Sequence, residues 1–182
     1  PTVVPQIIIE NPNIDYAVEA EGEVAFKELL NALKKGNDVS KVPNLWYKDN
    51  GKVKRTGLIK YLNMDEIPNQ RIEFWNDKHF KKPYDGKLYN TGFFEASRGC
   101  MHKCHYCINR AFQVFQKESG KVRRNKSVDQ IINEVKSIHK ERNFELIMFT
   151  DDNFLARQPR EFNEFYDRWK KEINVPYWMN TC

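Results

Sequence analysis

Phe93-Phe-Glu-Ala-Ser-Arg-Gly-Cys100-Met-His-Lys-Cys104-His-Tyr106-Cys107 is the stretch on which the reading of the whole chain turns. Cys100, Cys104 and Cys107 follow a C-x3-C-x2-C spacing, with an aromatic residue directly before the last thiol. Three thiolates can hold three corners of a cubane iron–sulfur cluster and leave the fourth iron without a protein ligand. An iron left open can take a substrate or a second cofactor, so the spacing points to catalysis rather than to electron storage. Two other readings compete. Cys104-x2-Cys107 could be half of a tetrahedral zinc site, with His102 or His105 added, but such a site needs a second ligand pair. Downstream stand only His139 and Cys182, neither of them paired. An electron-transfer ferredoxin uses C-x2-C-x2-C and a fourth cysteine. His102 and His105 read as exposed spacers, and Cys182 as a chain end rather than a fourth ligand.

Outward from the thiols the pattern is α/β. Residues 89–96 read as a strand ending at the cysteine loop. Ser127-Val-Asp-Gln130 is a capping box, and Ile131, Ile132, Val135 and Ile138 after it share one helix face. Residues 145–150 form a near-continuous apolar strand, as parallel sheets require, and it ends at Asp151-Asp152-Asn153. Phe162, Phe165, Trp169 and Ile173 mark the next amphipathic helix, and residues 175–181 a third strand. Strands alternating with helices predict a parallel sheet with right-handed crossovers. A parallel sheet that ends on a bare strand leaves a long apolar edge, so the natural polypeptide is expected to continue.

Before this α/β half, residues 14–18 alternate like a short strand. A turn at Glu19-Ala-Glu21-Gly22-Glu23 follows, after an opening with Val3-Val4 and Ile7-Ile8-Ile9. Phe26, Leu29, Leu30 and Leu33 then fall at helical spacing, with Gly36 placed to cap the helix. This is the tail of an α/β layer. Residues 37–86 change character. Asp49-Asn50-Gly51 between Leu45-Trp46-Tyr47 and Val53-Lys-Arg predicts a hairpin, and residues 61–68 show no period. His79 reads as exposed. The domain expectation is therefore 1–36, 37–86 as a linker with a hairpin, and 87–182.

Composition bounds the function. With 182 residues, 40% of them apolar, there is material for one domain or parts of two, with a real core. No apolar run is long enough to span a bilayer, and the N-terminus has neither the basic region nor the cleavage site of a signal peptide. The missing initiator Met suggests an excised or processed piece. Clustered rather than spread cysteines suit metal binding in a reducing cytoplasm. Net charge is +5 and pI about 9.0. The densest basic run, Lys121-Val-Arg-Arg-Asn-Lys126, reads as a solvated loop before a helix; a nucleic-acid contact is the weaker reading, with no recognised binding motif to support it.

The cysteine stretch resembles the signature of the radical S-adenosylmethionine (SAM) superfamily, C-x3-C-x-aromatic-C, placed in the loop after the first barrel strand. The resemblance implies a [4Fe-4S] cluster on Cys100, Cys104 and Cys107. It implies SAM on the open iron, and reductive cleavage to methionine and a 5′-deoxyadenosyl radical. Tyr106 would lie near the adenine, and the electron would come from a flavodoxin or ferredoxin type of donor. The fold implied is a partial (β/α) barrel with its chemistry at the C-terminal strand ends.

The family's Gly-Gly-Glu motif at the second strand is missing here. Asp151-Asp152-Asn153 stands in its place and resembles the cobalamin-dependent branch. A carboxylate there can accept from the SAM ammonium group, although an acid after a strand also caps a turn. Residues 1–36, with Pro1-Thr2 and with Glu21 and Gly22 near the nucleotide tail of cobalamin, resemble the end of that branch's Rossmann-like cobalamin-binding domain. Glu21-Gly22-Glu23 is equally a helix start with favourable acids. The Asp-x-His-x-x-Gly cobalt-ligating motif is absent, and the later barrel strands are too. The expectation is a radical SAM enzyme fragment, inactive alone, serving cobalamin-dependent methyl transfer to a small-molecule substrate that the sequence does not identify. The alternatives are a methylthiotransferase or other RNA-modifying radical SAM enzyme without cobalamin, and a non-catalytic zinc module.

Overall fold

The computed structural model describes residues 5–181, so the expectations placed on Pro1, Thr2, Val3, Val4 and Cys182 lie outside the described residues. The chain divides into two compact units, Pro1–Tyr61 with His102–Val122, and Leu62–Met101 with Arg123–Cys182.

The first unit contains α1 (Pro5–Glu10), β1 (Tyr16–Val18), α2 (Glu23–Lys35), β2 (Leu45–Asp49), β3 (Lys52–Arg55) and α3 (Ile108–Phe115). Asn50 and Gly51 both take left-handed φ, 48° and 75°, so Asp49 pairs with Lys52 across a two-residue turn. That turn matches the twist of a hairpin, as the Asn-Gly pair predicts. β1 does not continue a parallel layer: it adds to the hairpin, antiparallel to β2, with Tyr16 opposite Tyr47. α2 ends where Gly36, at φ 64°, turns its N–H back to the carbonyls of Ala32 and Leu33.

The buried face of α2 is Ala25, Leu29 and Ala32, with Leu29 and Ala32 packed on Val42, Leu45 and Tyr47. Of the four residues expected to form that face, only Leu29 is buried; Phe26, Leu30 and Leu33 stay about half exposed. The apolar stripe of α2 is wider than the surface it packs on, so small alanines take the contact and the larger side chains lie outside it.

The second unit contains β4 (Lys81–Tyr84), β5 (Lys87–Phe94), β6 (Ser97–Arg98), β7 (Arg124–Asn125), α4 (Val128–Arg142), β8 (Leu146–Phe149), α5 (Pro159–Glu172) and β9 (Tyr177–Met179). The main sheet runs β4-β5-β8-β9, and β5, β8 and β9 are parallel as expected. Phe94 pairs with Phe149, and Phe149 with Met179, which brings the three strand ends level. β4 is an addition that periodicity did not reveal. It pairs antiparallel with β5 through a tight turn at Asp85-Gly86, both with positive φ.

α4 starts as read from its capping box, with the Ser127 hydroxyl accepting from the Gln130 N–H. Ile131, Ile132, Val135 and Ile138 all reach the core, and there they join Phe94, Ile147, Phe149, Phe165 and Trp169. The Phe149 ring touches four aromatic neighbours, the nearest being Phe154 at 4.7 Å between centroids.

The basic run before α4 is not a solvated loop. Lys126 is buried against Glu134, Arg124 donates to the Leu62 carbonyl, and Arg123 donates to the carbonyls of Gly99 and Ala156. The charges of Arg123, Arg124 and Lys126 are spent inside the second unit, where main-chain oxygens and one carboxylate need donors, while Lys121 is exposed. With these side chains turned inward, the run offers little of the surface that nucleic-acid binding would need.

Candidate functional site

The site is built at the C-terminal ends of β5, β8 and β9, and the cysteine loop leaves from the first of them. β6 continues from β5 after a break and pairs with β7 in the register Ser97–Asn125 and Arg98–Arg124. Gly99 then takes φ 76°, a left-handed turn that a side chain would strain. Cys100 follows and is buried, 7% exposed.

Cys104 and Cys107 belong to the other unit. A turn joins them, the Cys107 N–H donating to the Cys104 carbonyl at 3.1 Å. Cys107 directly precedes α3, a helix not anticipated from periodicity. Tyr106 between them is 94% exposed. His105 shares a hydrogen bond with Arg110, and the His102 carbonyl accepts from Gln113. None of these three cysteines is in a disulfide. Soft sulfur donors are what an iron–sulfur cluster takes, so the donor set fits one. Among the described residues, no group of three or more His, Cys, Asp and Glu side chains is gathered closely enough to hold a metal ion. The ligand assignment is a reading of donor chemistry and spacing.

The three residues after β8 are separated by the structure. Asp151 is 1% exposed and both carboxylate oxygens are engaged. One accepts from the Ala96 N–H at 3.1 Å and the other from the Ser97 hydroxyl. Burial pushes its pKa up, against the pull of those two hydrogen bonds and of Arg157 and Arg123. The Asp151 carbonyl accepts from the Asn180 side chain at 3.1 Å, so this one residue ties the ends of all three parallel strands. Asp152 is exposed, and Asn153 is buried with its amide oxygen unpartnered.

Two guanidinium groups border Asp151. Arg157 donates to the carbonyls of Ala96 at 2.6 Å and Lys126 at 3.0 Å. Arg123 donates to Gly99 at 3.3 Å and Ala156 at 3.0 Å. The Nε groups of both are buried without a partner. Desolvation lowers the Arg123 pKa, with Asp151, Cys100 and Asp152 acting against it.

In the first unit, Gly22 is the residue before α2, and its carbonyl accepts the Phe26 N–H at 2.8 Å. The Glu21 carbonyl accepts from Asn44. Gly22, Phe26 and Leu30 border an open hollow of about 560 Å³.

The sequence profile of the Radical SAM superfamily matches residues 94–179, from the end of β5 through β9. The chain carries a radical SAM domain. Over 161 residues the chain is 35% identical to an uncharacterized methyltransferase of Pyrococcus horikoshii, covering 87% of this chain and 33% of that protein. It is 25% identical over 150 residues to an anaerobic magnesium-protoporphyrin IX monomethyl ester cyclase of Synechocystis, covering 81% of this chain and 28% of that one. The chain thus spans about a third of the length of these curated relatives.

Among solved structures it resembles the cobalamin-dependent S-adenosylmethionine radical enzyme OxsB, with TM-score 0.71 and 21% identity, over 100% of this chain and 24% of that chain. It also resembles the radical S-adenosylmethionine methyltransferase TsrM of Kitasatospora setae, with TM-score 0.63 and 16% identity, over 97% of this chain and 35% of that chain. The fold is therefore the mixed α/β arrangement of such enzymes. Family members use a [4Fe-4S] cluster and SAM. No helix among the described residues is long and apolar enough to cross a membrane.

Proposed function

We propose that the chain is part of an enzyme that binds a [4Fe-4S] cluster through Cys100, Cys104 and Cys107 and SAM at the iron those thiolates leave open. When bound by these thiols, the cluster would supply the electron for reductive cleavage of SAM to methionine and a 5′-deoxyadenosyl radical. The observation that carries this reading is the match of residues 94–179 to the Radical SAM superfamily, with three cysteines outside any disulfide in the loop after β5.

Each residue has its own task. Gly99 turns the main chain so that Cys100 leaves the strand end. Cys107 would present its thiol from the residue just before α3. Tyr106 would lie near the adenine of bound SAM. Asp152, the exposed acid after β8, accepts from the SAM ammonium group, and Asn153 supports that turn. Asp151 has no free oxygen for the task.

The reaction served is methyl transfer with cobalamin to a small-molecule substrate. In support, two similar solved structures are described as a cobalamin-dependent radical enzyme and a radical methyltransferase with cobalamin bound. In this reading residues 1–36 close a cobalamin-binding domain, 37–86 link it to the barrel, and 87–182 begin the barrel. Gly22, at the open hollow on α2, and Glu21 before it would lie by the cobalamin nucleotide tail.

The test is anaerobic reconstitution of the full-length protein with iron and sulfide, then addition of SAM and a low-potential reductant. Sulfide-to-iron charge-transfer absorption and release of 5′-deoxyadenosine are expected. One bound zinc and no iron would overturn the reading.

A further inference from the structure

The buried polar groups at the strand ends carry more positive charge than they need for one another. Asp151 is buried there, and two half-buried guanidinium groups, Arg123 and Arg157, lie close enough to act on its charge. Each guanidinium uses two N–H groups on main-chain carbonyls and leaves a buried Nε unpartnered. An unpaired buried donor on a cation is costly unless an anion stands close by.

The register shows where that anion belongs. Arg98 pairs with Arg124, so the next step along this antiparallel ribbon sets Arg123 opposite Gly99, the residue before Cys100. The Arg123 side chain closes on the Gly99 carbonyl at 3.3 Å, which keeps its charge at the base of the Cys100 turn. Arg124, one residue on, sends its side chain elsewhere, to the carbonyl of Leu62.

We infer that Arg123 is a positioning and charge-compensating residue for the iron–sulfur cluster, holding the Cys100 turn and raising the cluster's reduction potential. The inference rests on the cluster reading above. Three thiolates on a doubly positive cubane make a net anion, and one-electron reduction adds a further negative charge. A fixed, half-buried cation therefore stabilises the reduced state more than the oxidised one. The electron itself comes from an external low-potential donor; Arg123 gains and loses nothing in the step.

The test is an EPR-monitored redox titration of the reconstituted full-length protein without SAM, comparing wild type, Arg123→Gln, Arg123→Lys and Arg124→Gln. The expected result is a midpoint shifted negative in Arg123→Gln, largely restored in Arg123→Lys and unchanged in Arg124→Gln. Should Arg123→Gln fail to retain iron, near wild-type iron and midpoint in Arg123→Lys still support the charge requirement. Coincident midpoints for wild type and Arg123→Gln overturn the inference and leave the cluster reading standing. Equal shifts in both Arg123 variants, or an equal shift in Arg124→Gln, overturn it also. If the wild-type protein takes up no cluster, the cluster reading fails first and this inference falls with it.

Discussion

Lys126 Nζ lies 2.6 Å from Glu134 Oε2, with the two side chains only 4% and 2% exposed. The remaining Glu134 oxygen accepts from the Gln70 N–H at 3.3 Å. This buried pair joins the strand of the basic run to the middle of α4. Removing one partner strands a charge out of water, whereas replacing both by apolar groups of similar size does not. Glu134→Gln should therefore lower stability by about 3–5 kcal/mol. Lys126→Met with Glu134→Leu together should cost less than Glu134→Gln alone. Urea unfolding of the three proteins checks both statements.

Gly92 lies in the middle of β5, where an added Cβ would stand 2.6 Å from the Phe144 ring and 2.8 Å from that of Phe94. Both rings are buried, so neither can simply swing into solvent. Gly92→Ala should cost about 1–3 kcal/mol through overpacking. Phe144→Leu in the same chain should recover part of that loss in a thermal melt.

Asp151 sets a pH dependence. Its folded pKa is raised above the ordinary 3.8 by burial, the largest cause, so the folded state holds its proton to higher pH than the unfolded chain does. Between the two values the native state binds more protons, and stability falls as pH rises. Below both values the penalty is absent. Wild-type stability measured by denaturant midpoint should therefore decline as pH climbs from the ordinary carboxylate value through the raised one. Asp151→Asn should flatten that segment of the curve. Parallel curves for the two proteins would count against the buried carboxylate as the cause.

Cys104 is exposed, and its thiol supports no core contact. Cys104→Ala should leave the melting temperature within about 0.5 kcal/mol of wild type in stability, as for other surface changes. The same substitution should abolish the charge-transfer absorption of the reconstituted protein. Retained absorption in Cys104→Ala would remove this residue from the ligand set.

Much of the fold is legible in short stretches because the responsible interactions are local. The Ser127 cap, the Asn50-Gly51 turn and the Gly36 helix end each depend on main-chain geometry within a few residues. The parallel strands β5, β8 and β9 are legible as well, since a strand buried on both faces must be apolar throughout its length. α3 was missed because it is a short helix, and its strongest cue was the loop that carries the cysteines. β4 was missed because Lys81-Lys82-Pro83 does not look like a strand, although Asp85-Gly86 was a turn signal in plain sight.

The sequence by itself determined the cysteine spacing, the donor chemistry and the alternation of strand and helix, because each follows from residue type and separation. It could not tell Asp151 from Asp152, nor a solvated basic loop from a buried one. Adjacent acids in a chain look alike, and a lysine carries the same charge in water or in a core. Only the tertiary structure decided which of these charges is buried. It brings Ala96 and Ser97 to Asp151 across more than fifty residues, and Glu134 to Lys126 from another element. Burial, which sets what a charge can do, depends on partners that lie far apart in the chain.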